Sequence, residues 1–542
     1  MPHGLRCLLA ACSAALFLTR APQGLAASPD DGAPASLAAR ARTDTAMPVR
    51  PFRPGAEPAW NRRAVQFLYA PAFDIPRVEG AVRYRFSVKD SAGRVATFFA
   101  EEPWAPLSPV WPDLAAGAAS LTVEGVDATG TPLAGPYVRA FHRSAPFTPP
   151  AGPWPDFGAS AGKALDALAD SPDLACWFKG PVPDPAFPMY RYPAKIVGAA
   201  AAALARRAAG MPKGAAREAC LSAARQAADH MLSLVPDGKA AWAHHPPTYH
   251  PTLYGDRLKG HMSAGRYMTN CGADAGRSLL EVHAVTRDAK YLEAAVRIAE
   301  TYRRNQLKDG SWWLFVNPAD GAPAAANVLI PTAVIIFLDE LEAATGDAAF
   351  REVRARALGW TMEHPVRTWD WQGQFEDVRP APPFENLTKH EACDLAIHLF
   401  GIKDTSEARL RLAHELLRFD EDQFVAWEGR PGADPVRQGA DGAGAKARRW
   451  ITPCVLEQYR CYAPVSASSA KLIRTFLAAW RATGDRMHLE KARALGVTLT
   501  QVQSHPRAPG RYQTWVMSPP GAMWFNCELA AVRAMQELAA AR

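Results

Sequence analysis

The stretch TWDWQGQFEDVRPAPPFENLTKHEACDLAIHLF, residues 368–400, joins an aromatic and acidic loop directly to an amphipathic helix. Its prolines keep the first half extended, because proline lacks a backbone donor and restricts the residue before it. The tetrapeptide TKHE at 388–391 fits a capping box, and helical apolar spacing follows. His390, Asp394 and His398 recur at every fourth residue, so they share one side of that helix. The pattern predicts a helix that lines a wet cavity, and a solvated helix edge is the alternative.

Similar helical segments recur about every 60 residues in the C-terminal part of the chain. Turns with threonine and aspartate at 286–288, 345–347 and 483–485 each precede an alanine-rich helix, and 403–404 marks a degenerate copy. Asp or Thr at such a turn caps the helix that follows. The repeat therefore predicts a toroid or solenoid of helical hairpins.

Long connections between the hairpins hold most of the Trp, Tyr, His and paired acidic residues. In an antiparallel helical array all connections of one kind lie at one end, so these five are expected to converge: 235–262, 306–326, 364–386, 419–465 and 504–521. Aromatic faces and convergent polar groups are typical of a ligand cleft. The sequence thus predicts a sugar-binding cleft at one end of the array.

These features resemble the six-hairpin, or (α/α)6-toroid, superfamily of carbohydrate-active enzymes, which includes polysaccharide lyases, glycoside hydrolases and sugar epimerases. The resemblance is carried by the threonine–aspartate turns, by DGSWW at 309–313 and by WQGQFEDV at 371–378. It implies a mainly α chain with a catalytic toroid at 155–542. No single family of the group matches, so no catalytic residue is carried over.

The N-terminal part divides into three segments. Residues 1–27 combine a basic residue, an apolar run and small residues, which predicts a signal peptide and export to the periplasm or the exterior. Residues 28–60 lack a sustained period and are interpreted as a linker. Residues 61–148 contain short β-like runs separated by turns and resemble a fibronectin type III-like β-sandwich. This module has no clustered histidine, which predicts that it is dispensable for chemistry.

Composition excludes several classes of function. The net charge of +7 over 542 residues includes no long Lys/Arg block, so nucleic-acid binding is not expected. Outside the leader no apolar run reaches the ~18 residues of a membrane span. The sequence predicts neither a cofactor nor a metal site, since CxxC and HExxH are absent and His244, His245 and His250 fit no zinc spacing. A mild attraction for anionic substrates is expected.

One candidate chemistry is β-elimination on a uronate polymer. It requires a group that neutralises the substrate carboxylate, a base for the α-proton and an acid for the leaving oxygen. Toroid lyases are similar in using Asn, His, Tyr and Arg for these tasks, and the stretch 249–270 contains all four types. The candidates there are Tyr254 as proton carrier, with His250, Arg266 and Asn270.

The alternative chemistry is hydrolysis, which needs two carboxyl groups on either side of the glycosidic bond. Glu376 and Asp377 supply one acidic pair, and Glu421 and Asp422 supply another on the next long connection. Substrate contacts are expected from the aromatic and polar residues of the same connections and of the helix at 390: Trp242, Trp312, Trp313, Trp371, Gln374, His390 and Asp422.

Two predicted helix starts share a short sequence pattern. An aromatic residue followed by Asn-Cys occurs at 267–271 and again at 524–527. The pattern is interpreted as a packing element, with Asn270 reaching the cleft as the other possibility.

Taken with the positive charge, the 249–270 cluster favours a polysaccharide lyase. A glycoside hydrolase of the same fold and a non-catalytic glycan-binding protein are the alternatives.

Overall fold

The computed structural model describes most of the chain from residue 34 onward. The described ranges are 34–46, 66–73, 75–149, 153–236, 238–250, 265–375, 390–404, 406–426, 453–458, 461–464, 466–504, 508–514 and 523–541. Within them no helix combines the length and the apolar character that crossing a membrane requires.

Six helices form a closed inner ring. Each packs against the next in chain order, and the last packs back against the first. The inner helices are α3 (Gly198–Gly210), α5 (Asn270–Thr286), α7 (Thr332–Thr345), α9 (His390–Gly401), α11 (Ser466–Thr483) and α13 (Phe525–Ala540). The predicted toroid is therefore confirmed as an (α/α)6 ring.

A second set of helices surrounds this ring. The outer helices are α2 (Phe157–Ala169), α4 (Ala215–Ser233), α6 (Ala289–Asn305), α8 (Arg351–Thr361), α10 (Glu407–Phe424) and α12 (Arg486–Val502). Five of them follow their inner partner through a short turn. The sixth, α2, packs against α13 from the far end of the sequence and completes the double ring.

The predicted threonine–aspartate turns join inner to outer helices. In each turn the threonine hydroxyl accepts a hydrogen bond from the aspartate N–H, at 3.3 Å for Thr286, 3.1 Å for Thr345 and 3.2 Å for Thr483. The aspartate carboxylate then accepts from an N–H at the start of the next helix, as Asp485 does from Met487 at 2.9 Å. Two of the orphan groups at each helix junction are satisfied locally, which explains the repeat.

The described parts of the long connections lie together at the other end of the ring, as the alternation of the repeat predicts. His250 N–H donates to the Arg191 carbonyl at 2.8 Å, joining the connections before α3 and α5. Strand β6 (Tyr267–Met268) pairs with β7 (Phe315–Val316), which joins the connections before α5 and α7. Asn327 then donates to the Gly373 carbonyl at 3.0 Å, in the connection before α9. The inner helices therefore begin at this end.

Close contact between inner helices depends on glycine. A Cβ at Gly276 of α5 would lie 2.4 Å from the ring of Phe337, which is fully buried in α7. We expect Gly276→Ala to lower the free energy of unfolding by about 1–3 kcal/mol, because the ring has no room to withdraw. Gly162 of α2 has no atom within 4 Å of the same position, so Gly162→Ala should instead stabilise by about 0.5–1 kcal/mol. Denaturant unfolding of the two variants checks this opposite sign, and equal shifts would contradict it.

The N-terminal module is a single five-stranded sheet. Its order is β1-β5-β4-β2-β3, from β1 (Gln66–Phe67), β2 (Arg83–Lys89), β3 (Val95–Ala100), β4 (Gly117–Val126) and β5 (Tyr137–Arg143). One face packs on apolar residues of the β3–β4 connection, including Leu107, Val110 and Trp111. Within 66–73 and 75–149 no second sheet faces it, so an irregular segment lies where the predicted sandwich would place one.

The module is docked on the outer helices. Tyr69 and Phe147 belong to the hydrophobic core of the toroid, and the Tyr69 hydroxyl donates to Glu421 of α10 at 3.1 Å. The proposed dispensability for chemistry stays a prediction. Deleting 64–147 removes both rings from the toroid core, so a loss of stability is expected in any such truncate.

Part of the predicted linker is a helix, α1 (Pro34–Ala46). Asp44 of this helix lies 3.3 Å from the ammonium of Lys491 in α12, and Lys491 also pairs with Glu421. Lys491 and Glu421 are each 1% exposed. Glu421 is therefore half of a buried ion pair under the N-terminal module. This corrects its assignment to an acidic rim.

Candidate functional site

All six inner helices bring a polar side chain to the end where the long connections lie. These side chains sit in the first two turns of each helix or in the turn just before it: Lys195, Asn270, Thr332, His390, Asn526 and, on α11, Ser468 with Lys471. The polar lining of a central cleft stays a prediction. The ring brings together groups that are far apart in sequence.

One group of side chains at this end, which we call the His390 cluster, consists of His390, Asp394, Ser468 and Lys471, together with Lys195, whose charge acts on His390. His390 Nε2 lies 3.5 Å from the Ser468 hydroxyl, and the Lys471 ammonium donates to the Asp394 carboxylate at 2.5 Å. Asp394 is 3% exposed, whereas His390 and Lys471 are half-buried. The Lys471–Asp394 ion pair thus joins the same two helices, α9 and α11, as the His390–Ser468 contact.

His390 is held in its neutral form. Burial is the main cause, and the charges of Lys471 and Lys195 add to it, so that the pKa of His390 falls to about 3 despite the nearby Asp394. A neutral imidazole has one nitrogen free to accept a proton. The cluster therefore holds a neutral imidazole whose pKa the charges of Lys471 and Lys195 help to lower.

The predicted stripe of α9 turns gradually around the helix. His390 and Asp394 face α11, but His398 bonds to Asp339 of α7 at 2.7 Å. Four residues advance an α-helix by about 40° beyond a full turn, so eight residues rotate the side chain by about 80°. His398 therefore belongs to the interior packing between two helices and not to the cluster.

Two asparagines mark the starts of α5 and α13. The side-chain oxygens of Asn270 and Asn526 are buried and have no hydrogen-bond partner among the described residues. An unsatisfied buried polar atom is costly unless a ligand or water completes it. The echoed Asn-Cys pattern therefore leaves a buried amide oxygen without a donor, among the described residues, at the starts of both α5 and α13.

Three aromatic rings lie beside these helix starts. The ring of Tyr192 is 4.7 Å from that of Trp524 and 5.3 Å from that of Tyr249, measured between centroids. Tyr192 and Trp524 are half-buried, so part of each ring stays accessible. Aromatic rings that are partly accessible in this way are common in ligand sites.

Ion pairs also link inner helices of the ring. Arg277 of α5 makes a bidentate pair with Glu340 of α7 at 2.6 and 2.8 Å. Glu281 lies 2.6 Å from Arg533 and 3.0 Å from Arg206. Burial alone raises its pKa, but these two guanidiniums lower it to about 2. Ion pairs thus join α5 to α3, α7 and α13 within the inner ring.

The residues predicted for elimination lie in different surroundings. Asn270 is the first residue of α5, with its side-chain oxygen buried. His250 is 7% exposed and its ring stacks on His230 of outer helix α4, with centroids 5.9 Å apart. Arg266 is half-buried just before β6. Tyr254 lies outside the described residues.

Most of the predicted aromatic contacts are part of the core. Trp242, Trp312 and Trp371 are 2%, 0% and 1% exposed. The Trp312 indole donates to the Tyr302 carbonyl at 2.8 Å, and Trp371 packs against Trp369 at 5.9 Å. Since a buried ring cannot stack on a sugar, these three are corrected to packing residues, whereas Trp313 is half-buried and stays a candidate.

The remaining candidates also divide. Gln374 is 6% exposed and ties two connections together by accepting from Ile330 N–H at 2.9 Å and donating to the Val328 carbonyl at 3.0 Å. Asp422 falls in the last turn of α10, where a loop was expected. Glu376 and Asp377 lie outside the described residues.

Sequence reasoning missed Lys195, Ser468 and Lys471. The signal for the last two was weak: a serine-rich helix start, SASSAK at 466–471, with no nearby acid in sequence. Among the described side chains, no three His, Cys, Asp or Glu residues are grouped to hold a metal ion. His245 in particular packs on Trp242 at 4.8 Å, apart from the His230–His250 stack.

Buried neutral histidines give the protein a specific acid sensitivity. Burial lowers the pKa of His245 and of His488 to about 3. The unfolded chain titrates near ~6.5, so between these values it binds protons that the folded state excludes, and stability falls as the pH decreases. We expect each group to contribute up to ~1.4 kcal/mol per pH unit in this window.

Denaturant unfolding between pH 7 and pH 5 measures the effect. The variant His245→Gln removes one of the two groups, and its unfolding free energy should therefore vary less steeply with pH than that of the unchanged protein. Equal slopes would contradict the assignment of His245 as a buried neutral side chain.

Comparisons with solved structures give distant matches. The chain is similar to cellobiose 2-epimerase from Spirochaeta thermophila, with 12% identity over 70% of this chain and 97% of that one and a TM-score of 0.46. A family 76 glycoside hydrolase from a bovine Bacteroides thetaiotaomicron strain gives 11% identity, 88% and 97% coverage and a TM-score of 0.42. An unsaturated glucuronyl hydrolase specific for heparin gives 12% identity over 71% of this chain and 97% of that one, with a TM-score of 0.43.

No family model matches the sequence, and no curated protein matches it. All three TM-scores are below 0.5, so the assignment of the (α/α)6 fold depends on the ring of inner helices itself. Chemistry has to be inferred from the residues of this chain.

Proposed function

We propose that the protein is a carbohydrate-active enzyme that cleaves a uronate-containing polysaccharide by β-elimination at the His390 cluster. The observation that carries this proposal is the contact of His390 with Ser468 at 3.5 Å, on the same two helices as the Lys471–Asp394 ion pair, at the end where the inner helices begin. The leader-like segment 1–27 supports a further proposal, that the enzyme is exported.

An anionic substrate is favoured by the charges at this end. The His390 cluster holds two ammonium groups, Lys195 and Lys471, against one carboxylate, Asp394, which Lys471 neutralises. The amino-terminal ends of six helices add partial positive charge. A uronate carboxylate is attracted by this field, whereas a neutral sugar is not.

Elimination requires the C5 proton to leave while negative charge develops on the uronate carboxylate. His390 is positioned to accept that proton, and the two lysines are positioned to stabilise the charge. A carboxylate bound beside the imidazole also raises the pKa of His390 from its low value, because an opposite charge favours the imidazolium. Substrate binding thereby strengthens the base only when the correct charge is present.

Proton donation to the leaving O4 completes the reaction. Tyr192 and Tyr249 lie at the same end, and Tyr254 is the phenol that the sequence favours. The C4–O4 bond breaks, O4 takes the proton and the electron pair left at C5 forms the C4=C5 double bond. Asn270 and Asn526 are available to bind hydroxyls and orient the ring.

A second candidate is hydrolysis or another acid–base reaction by two carboxylates of the inner helices. Asp274 of α5 and Asp394 of α9 are carboxylates of inner helices, and the charge of each favours the protonated form of the Arg277 guanidinium. Paired carboxyl groups are what hydrolysis requires.

Product analysis separates these proposals. Acidic and neutral polysaccharides are incubated with the full chain, and products are followed by ultraviolet absorbance and by reducing-end assay. We expect new reducing ends with absorbance, because elimination leaves a double bond conjugated to the carboxylate. Saturated products from an acidic polymer would overturn elimination in favour of hydrolysis. Binding with no new reducing end would indicate a glycan-binding protein.

A further inference from the structure

The five-stranded sheet of the N-terminal module has one open face. Its inner face packs on the module's core, but the outer face exposes Val95 to 63%, Phe99 to 48% and Val138 to 60%. Apolar groups clustered on a folded surface, rimmed by polar groups, mark a site of interaction more often than scattered ones do. We call this surface the outer sheet face.

Strand register orders the polar groups of this face into rows. Ser87 of β2 is opposite Thr97 of β3 on one side and Thr122 of β4 on the other. The Ser87 and Thr97 hydroxyls lie 3.1 Å apart, within hydrogen-bond distance. A row of hydroxyl groups therefore crosses the face between its apolar side chains. The surface of a sugar chain likewise alternates between hydroxyl groups and apolar ring faces.

The charge of the outer sheet face is positive. Arg83 and Lys89 are exposed, and the Arg83 guanidinium lies over the Phe99 ring at 4.4 Å. Glu124 is the one carboxylate within strands β2 to β5, and Arg85 neutralises it at 2.7 Å. This balance fits an anionic partner.

We propose that the outer sheet face is a second binding site, which holds an acidic polysaccharide chain away from the His390 cluster. Arg83 and Lys89 are six residues apart on β2, or about 20 Å. The occupant is therefore a chain of several sugars, with its carboxylates on these two cations and a ring face on Phe99. The choice of an acidic polysaccharide rests on the proposed function, but the face itself does not.

Affinity electrophoresis in gels containing sodium polygalacturonate, alginate or hydroxyethyl cellulose tests this site. The full chain is used with His390→Gln so that the polymer is not consumed. We expect retardation by an acidic polymer that weakens with added salt. The double variant Arg83→Glu with Lys89→Glu should bind it roughly tenfold more weakly.

The matched control is Lys213→Glu with Lys308→Glu, which changes the net charge equally at exposed sites outside the module. It should bind within about twofold of the parent. Equal loss in both double variants, or equal retardation by hydroxyethyl cellulose, would overturn the proposal. A concentration-dependent dimer that only the Arg83/Lys89 variant abolishes would assign the face to a second copy of the chain instead.

Failure of this site and failure of the proposed function are distinguishable. The Arg83/Lys89 variant with an intact His390 should cleave short uronate oligosaccharides at the unchanged rate. If acidic polymer binds at the face but is never cleaved, the function proposal fails alone. If cleavage occurs and the face variants bind polymer normally, the second site fails alone.

Discussion

Replacing His390 with Gln is expected to lower kcat on an acidic polysaccharide by roughly 10²–10⁴-fold, the usual contribution of a positioned acid–base group. Glutamine keeps a polar side chain near Ser468 but cannot take a proton. Initial rates by ultraviolet absorbance measure the change. Binding of the polymer should be little altered, because Lys195 and Lys471 remain.

The matched control is His364→Gln, since His364 is exposed and stacks on Trp360 outside the ring. Its rate should equal that of the unchanged enzyme. Full activity in the His390 variant would remove the imidazole from the mechanism. Thermal unfolding of both variants guards against an effect of folding, and a His390 variant that unfolds at the usual temperature but is inactive supports the catalytic role.

Replacing Arg511 with Met is expected to cost about 3–5 kcal/mol of the free energy of unfolding, because it leaves a buried carboxylate without its partner. Arg511 makes a bidentate pair with Glu528 of α13 at 2.8 and 3.0 Å. It also lies 3.2 Å from the Ser171 hydroxyl and 3.4 Å from the Asp173 carboxylate. Glu528 is 1% exposed.

The pH dependence of this variant carries the sharper test. Burial raises the pKa of Glu528 to about 7 even with the guanidinium in place. Without Arg511 it rises further, so the folded state holds a proton that the unfolded chain releases above about 4.5. The loss of stability should therefore be smaller at pH 5.5 than at pH 8. A loss independent of pH would contradict this account.

Two further variants bracket the result. Adding Glu528→Gln to the Arg511 variant should recover part of the loss, since the unpaired charge is then removed. Arg297 and Glu293 form an exposed pair on α6, so Arg297→Met should change stability by less than about 1 kcal/mol. Denaturant unfolding of the four proteins under one buffer series gives all these values.

Much of the toroid could be predicted because its signals are local. A threonine and an aspartate at each hairpin turn satisfy backbone groups within a few residues, and this requirement appears directly in the sequence. The end at which the connections meet followed from alternation alone. Both depend on spacing along the chain, which the sequence contains in full.

The direction in which a loop side chain turns is not local information. Trp369 adopts a φ of +59°, which turns it and its neighbour Trp371 toward Phe419 of α10. A left-handed tryptophan is sterically unfavourable, and burial of two large rings compensates for it. From sequence the same two residues fit a sugar platform equally well.

The same reason explains the missed lysines. Lys471 falls on a helix with no acidic neighbour in sequence, and only the ring places it beside Asp394 of α9. The prediction for Glu421 was wrong in the opposite sense, because it placed a buried side chain at the rim. Its acidic run resembles a rim, but α10 continues through it and turns the carboxylate toward Lys491.

The pairing of α2 with α13 has a consequence for how the chain is made. A ribosome synthesises α2 early and α13 late. The apolar faces of α2 and α3 that pack on α13 therefore stay uncovered while every intervening hairpin is synthesised. Such distant contacts form slowly, and surfaces that await them are prone to aggregation. A nascent chain that stops before α13 leaves an open ring, and its exposed seam is where a chaperone would be expected to bind.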